Sequence, residues 1–202
     1  MPEPYVVAIL ASISTIVSFA FLLLLSWRIK SMESEIRDLS LRDELTGLYN
    51  LRGFHLLGEQ TLRLAQRSQL PFSVLYIDLD NLKQINDSLG HSVGSTCLNE
   101  MAQLLTATFR RTDVIGRIGG DEFAVAGQFS RAAISIAAQR LYTASIRLNM
   151  ETPHPFLLNF SMGLVTSEGI ENEALHESLK ELLAKADKAM YEEKRRRKSN
   201  PD

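Results

Sequence analysis

Apolar and polar positions follow three different rhythms along this chain, and each rhythm predicts a different kind of element. Tyr5 to Trp27 runs for 23 residues without a charged side chain. As a helix it would be about 34 Å long, enough to cross a hydrocarbon core. A cleaved signal peptide fits less well, because no basic region leads the run and it exceeds a typical h-region. The expectation is a transmembrane helix over 5–27. Ile29, Met32, Ile36 and Leu39 then recur at spacings of three, four and three, with Glu33, Glu35, Arg37 and Asp38 between them. That pattern suits a short coiled coil or a simple amphipathic linker helix over 28–42. Two heptads are too few to hold a dimer alone, but tethering in a membrane raises the effective concentration of a second copy.

From about Asp43 the rhythm becomes that of a mixed α/β domain extending to Lys198. Phe54–Gln69 reads as a helix ended by Pro71, and Phe72–Asp80 as an apolar strand closing on acids. His91–Phe109 is helical, with Val93, Cys97, Leu98, Met101, Leu104 and Leu105 on one face. Val114–Ile118 and Glu122–Ala126 flank Gly119-Gly120 and predict a hairpin. Ser130–Leu148 predicts a helix, Phe156–Thr166 a strand, and Leu175–Lys194 a closing helix. There is no internal repeat, and 199–202 is a short tail.

Charge adds orientation and excludes one class. The net charge of -2 over 202 residues argues against a dedicated nucleic-acid binder. Residues 1–4 carry only the acidic Glu3, whereas Arg28 and Lys30 follow the apolar run at once. The positive-inside tendency therefore predicts a short extracytoplasmic tail and a cytoplasmic domain after Trp27. The single cysteine, Cys97, has no disulfide partner in the chain and falls in an apolar-periodic stretch, so it reads as core.

Two acidic clusters carry candidate chemistry. Asp78-Leu79-Asp80 ends one strand, and Asp121-Glu122 follows the hairpin glycines. Carboxylates at strand ends can converge on a hard divalent cation, which bridges phosphate oxygens and helps activate an attacking hydroxyl. Ordinary loop-entry acids would look the same on these spacings. His91 has no histidine or cysteine partner at metal spacing and reads as a structural residue at a helix start.

The wider pattern favours the metal site. Arg117-Ile-Gly-Gly-Asp-Glu-Phe123 contains a complete GGDEF string. Asp43-Glu-Leu-Thr-Gly-Leu-Tyr-Asn50 resembles D-x-L-T-G-L-x-N, and Asp78 to Asp87 with Gly90-His91 resembles D-x-D-x-F-K-x-x-N-D…G-H. Ala186-Asp187 through Tyr191 to Lys194 resembles A-D-x-A-L-Y-x-A-K. Four strings in order over residues 41–198 resemble the GGDEF family of nucleotidyl cyclases. The resemblance implies an α+β fold with a mainly antiparallel central sheet surrounded by helices, related to polymerase palm domains. It implies two GTP condensed into cyclic di-GMP by a homodimer, with Mg²⁺ or Mn²⁺ as cofactor. Asp78, Asp121 and the Leu79 carbonyl would hold metal. Glu122 would lie at the reacting centre, as a metal ligand or in activating the 3′-hydroxyl. Gly119 and Gly120 would admit the nucleotide closely. Lys83, Lys194 and Lys198 would contact phosphates, and Asn86 would read the guanine edge. Together with the apolar run, the resemblance implies a single-pass protein of the bacterial inner membrane.

Three further positions shade this expectation. Arg110-Arg-Thr-Asp113 matches an R-x-x-D string five residues before the glycine pair. In the family it is an inhibitory site for the cyclic product, although a surface salt bridge would read alike. The basic run Lys194–Lys198 can serve phosphates, anionic lipid or solvent. Ser95 stands where the family has the aspartate that reads guanine with Asn86. Its hydroxyl both donates and accepts, so it can meet guanine or adenine. That leaves a mixed cyclic AMP-GMP synthase using ATP and GTP, and a catalytically silent cyclic di-GMP receptor built on Arg110 and Asp113, as competing expectations. Leu82 for phenylalanine and Leu51 for arginine are lesser departures.

Overall fold

In a computed structural model, the described residues are 18–19, 21–28, 40–167 and 177–199. The chain divides into two units after Ser40. In the first, residues 21–28 are helical and expose Phe21, Leu22, Leu23, Leu24 and Trp27. Among the described residues no helix is long and apolar enough to cross a membrane. Residues 5–17 and 20 of the expected span, and linker residues 29–39, lie outside the described residues.

The second unit is built on a four-stranded antiparallel sheet. Its strands are β1 (Phe72–Leu79), β2 (Val114–Arg117), β3 (Glu122–Gly127) and β4 (Phe160–Ser167). Their order is β2-β3-β1-β4, so β1 and β3 are central. The helices are α1 (Leu51–Arg67), α2 (Leu82–Leu89), α3 (His91–Thr108), α4 (Arg131–Glu151) and α5 (Leu179–Ser199). Caps mark three of their starts: Asn50 accepts from the Gly53 N–H at 2.9 Å, Ser130 from the Ala133 N–H at 3.3 Å, and Ser178 from the Glu181 N–H at 3.3 Å.

Alternation along β1 sends its side chains to two layers. Leu75, Ile77 and Leu79 join Phe123, Val125 and Phe160 against α3 and α4, in a core that also holds Cys97, Met101 and Leu141. Phe72 and Val74 join Ala124 and Ala126 against α1 and α5, through Phe54, Leu62, Leu182 and Ala186.

Most expected elements appear with shifted ends. The first helix starts three residues earlier, because Asn50 caps it. The strand expected over Phe156–Thr166 forms only from Phe160; before it, Asn149 of α4 holds the loop by accepting from the Leu158 N–H and donating to the Leu158 carbonyl, at 2.8 and 3.2 Å. α2 is an element that the pattern did not predict. Its eight residues bury only Leu82, too short a run for an apolar stripe to stand out.

Candidate functional site

The site begins where one face of β1 stops being apolar. Phe72 and Val74 are buried, Tyr76 is half-buried, and Asp78 and Asp80 then follow on the same face. Antiparallel pairing sets Asp78 opposite Glu122 of β3, and the Leu79 N–H donates to the Asp121 carbonyl at 2.9 Å. The two acidic clusters therefore meet at the end of the two central strands.

The intervening turn is shaped by its glycines. The Ile118 and Gly119 N–H groups donate to the Glu122 carbonyl at 2.9 and 3.3 Å. A Cβ on Gly119 would sit 2.0 Å from Glu122 Oε2, so the carboxylate folds back over this position and would have to move for any larger residue. A Cβ on Gly120 would meet nothing within 4 Å. Glu122 Oε1 accepts from the Tyr76 hydroxyl at 2.9 Å. Burial, reinforced by Glu122, Asp187 and Asp78, pushes the Tyr76 phenol up, so it stays protonated and donates.

α5 delivers the cation. A Cβ on Gly163 would fall 2.0 Å from the Ala186 carbonyl oxygen, which shows how closely the helix rides on β4. One helical turn advances about as far as two strand residues. Ala186 and Met190 lie over Gly163, and Lys194, one turn further, reaches Asp78, the strand neighbour of Ser161. The Lys194 ammonium pairs with Asp78 and lies 3.3 Å from Asp80, whose carboxylate also accepts from Ser161 at 3.2 Å. Burial, with Asp121 and Asp80, pushes the Asp78 carboxyl up against the opposing pull of Lys194. Burial disfavours the Lys194 charge, yet Asp78 and Asp80 hold its pKa above the usual lysine value. Arg197, a turn beyond, donates to the Phe160 carbonyl at 3.1 Å. Asp80, Asn159, Ser161, Lys194 and Arg197 are among the residues lining a cleft of roughly 390 Å³ beside the carboxylates.

Arg117 ties this turn to the start of the domain. It donates twice to the Gly120 carbonyl, at 3.2 and 2.7 Å, and lies 3.3 Å from the Asp43 carboxylate. Burial works to raise the Asp43 carboxyl, but the Thr46 hydroxyl and N–H, with Arg117, hold it below the usual range.

The remaining expected residues fall elsewhere. Asn86, on α2, lies against α3: a Cβ on Gly94 would be 1.9 Å from its Oδ1, which places it beside the position preceding Ser95. Lys83 is exposed on α2 and lines a separate open cleft of roughly 450 Å³ with Asn81, Gln84, Asp87 and Ser88. The Lys198 side chain lies outside the described residues. Arg110 and Asp113 sit at the far end of β2, about 13 Å of strand from the turn. There the Arg110 N–H donates to Asp113 Oδ2 at 2.8 Å, and burial pushes the Asp113 carboxyl up.

The donor set fits a hard cation. Two carboxylates and a main-chain carbonyl offer only oxygen, and a lysine ammonium is already drawn to Asp78. Among the described residues no three His, Cys, Asp or Glu side chains are grouped to hold a metal, so this set depends on the Leu79 carbonyl and on ligands from substrate or water. Sequence reasoning gave no role to Tyr76, Ser161 or Arg197, and placed Asp80 only within an acidic cluster. Tyr76 stands two residues before Asp78 on one strand face, a signal available in the chain.

The arrangement is an antiparallel sheet packed by helices, with acids at the ends of its two central strands. The chain belongs to the GGDEF family: the family model described as diguanylate cyclase, GGDEF domain, matches residues 40–200. The diguanylate cyclase DgcS of Shewanella oneidensis is 35% identical over 154 residues, covering 75% of this chain and 49% of that protein. The probable diguanylate cyclase DgcC of Escherichia coli is 32% identical, covering 79% and 42%. The chain thus spans about half or less of the length of these relatives. Among solved structures, a microbial GGDEF domain described with cyclic di-GMP superposes with a TM-score of 0.66 at 28% identity, covering 80% of this chain and 94% of that one. The GGDEF domain of TpbB (YfiN) from Pseudomonas aeruginosa gives 0.66 at 30% identity, covering 77% and 89%.

Proposed function

We propose that this chain condenses two GTP into cyclic di-GMP, releasing two pyrophosphates. The observation that carries the reading is the strand register that sets Asp78 opposite Glu122 and Leu79 against Asp121 beside the Gly119–Gly120 turn, with Lys194 paired to Asp78. Each 3′-hydroxyl attacks the α-phosphate of the other nucleotide, so two phosphodiester bonds form. One domain has residues for one triphosphate, and two copies must face each other. Asp78, Asp121 and the Leu79 carbonyl would hold Mg²⁺ or Mn²⁺, which would supply charge neutralisation and Lewis-acid polarisation for the triphosphate. Lys83, Lys194 and Lys198 bind phosphate oxygens. The open space above Gly120 lets substrate approach the backbone. Arg110 and Asp113 form a product-binding site remote from the chemistry. Anchoring through residues 5–27, with the domain on the cytoplasmic face of the inner membrane, rests on the uncharged apolar run and on the apolar side chains exposed by residues 21–28.

Ser95 favours a second reading. Guanine presents two adjacent donors that one aspartate accepts together, whereas a serine satisfies guanine or adenine only in part. Losing such a bidentate contact removes about 1–3 kcal/mol of discrimination, or one to two decades of preference. Turnover with GTP, with ATP and with an equimolar mixture tests all of this. The expected products of the mixture are cyclic di-GMP with cyclic AMP-GMP, shifting toward cyclic di-GMP in Ser95→Asp. Cyclic di-GMP alone, even with ATP in excess, would remove the role of Ser95. No product, with cyclic di-GMP bound, would leave a receptor.

A further inference from the structure

Tyr76 brings an aromatic side chain to the polar end of this sheet face, and its surroundings are built to let it reach. Its neighbour on β3 is Ala124 and its neighbour on β4 is Gly163, the two smallest residue types. The phenol ring therefore has room along the sheet instead of standing off it. Glu122 is not opposite Tyr76 but diagonal to it, two pairs further toward the turn, because Glu122 is paired with Asp78. Diagonal neighbours across an antiparallel pair lie about 7–8 Å apart, a gap that an aromatic side chain spans and a short one does not. The hydroxyl ends 2.9 Å from Glu122 Oε1, while Oε2 rests against Gly119. One oxygen of the carboxylate is thus held by a hydrogen bond, and the bare glycine leaves room for the other.

We propose that Tyr76 is a positioning residue for the cyclisation, whose hydroxyl fixes the Glu122 carboxylate over the Gly119–Gly120 turn. A glutamate carries three side-chain torsions, and the last is broad, so without this donor the carboxylate samples many orientations. Groups that orient the residues of a reacting centre typically change activity by about 10–100-fold when removed. Tyr76 touches no substrate in this scheme; it acts through Glu122. The inference rests on the cyclase reading for its kinetic arm.

The test uses the full chain with Tyr76→Phe, Glu122→Gln and the double variant. Tyr76→Phe keeps the ring and the packing, so melting should be nearly unchanged. Its kcat should fall about tenfold while the KM for GTP stays within about twofold. In the Glu122→Gln background the same substitution should add less than about twofold, because the group it orients is already altered. A side-chain carboxyl ¹³C resonance assigned to Glu122 should move in Tyr76→Phe without nucleotide, with that of Glu181 unmoved. Full kcat in Tyr76→Phe, or an undiminished effect in the Glu122→Gln background, overturns the proposal. Wild-type protein inactive with every triphosphate overturns the cyclase reading instead. The resonance then decides the Tyr76 contact by itself: a shift supports it, and none rejects it.

Discussion

The two faces of the sheet are made by the same strands yet do different work. On the face covered by α3 and α4, one buried polar residue, Ser73, bonds to the Phe129 carbonyl and is followed by an apolar run: Leu75, Ile77 and Leu79 of β1 pack with Phe123 and Val125 of β3. On the face covered by α1 and α5, the apolar run ends at Val74 and passes through Tyr76 to Asp78 and Asp80. Cys97 is buried on the first face, and burial, with the Glu100 charge, pushes its thiol up to about 11. Lys194 on the second shows the reverse, a cation retained by two carboxylates despite partial burial. A strand whose neighbouring residues face opposite ways can carry a reactive cluster without interrupting its core. Both faces carry a buried core, and the acidic cluster sits at the end of one of them.

Substitutions two residues apart give the sharpest break of this contrast. Asp121→Ala should lower cyclisation at least about a hundredfold, as loss of a charge-stabilising group does, with melting almost unchanged. Phe123→Ala, fully buried on the first face, should cost about 3–5 kcal/mol of stability while the folded fraction keeps its turnover. Denaturant melts and turnover corrected for folded fraction check both; near-native turnover with Mg²⁺ in Asp121→Ala would remove it from the site.

Gly163→Ala tests how the packing of α5 on the sheet sets the height of Lys194. Its Cβ would meet the Ala186 carbonyl oxygen at 2.0 Å and the Met190 nitrogen at 2.3 Å, both backbone atoms of α5. The helix must lift, at about 1–3 kcal/mol, and Lys194 lifts with it. The KM for GTP should rise about tenfold, an effect that an unchanged KM would refute.

The smallest effect concerns what the site costs the fold. The Asp78 carboxyl titrates above its unfolded value, so the folded state prefers it protonated. Its ionised form therefore lowers stability once the pH rises past the unfolded value near about 4. Asp78→Asn should melt a few degrees higher than wild type at pH 7, with the difference shrinking toward pH 3. A lower melting point at pH 7 would mean that the Lys194 pair outweighs burial and the neighbouring acids.

Much of this architecture is legible in the amino-acid sequence. The periods of apolar residues place the helices and strands, because burial demands those periods. The hairpin at Gly119–Gly120 and the acidic pairs at strand ends are readable in the same way. Two elements escape that reading for local reasons. α2 is too short to show a stripe, and the start of β4 is delayed by a side chain, Asn149, that lies nine residues before Leu158.

The chain by itself determined which residues are apolar, which are acidic, and that one acidic cluster closes a strand while the other follows the hairpin glycines. Only the tertiary structure decided that β1 and β3 lie side by side in the register that sets Asp78 against Glu122. It also decided that Tyr76 is diagonal to Glu122, that Lys194 comes down on Asp78 from 116 residues away, and that Arg110 and Asp113 stand at the opposite end. Composition and periodicity are properties of neighbours along the chain. Register, diagonal reach and helix height depend on how distant segments pack, and on glycines such as Gly163 that permit the approach.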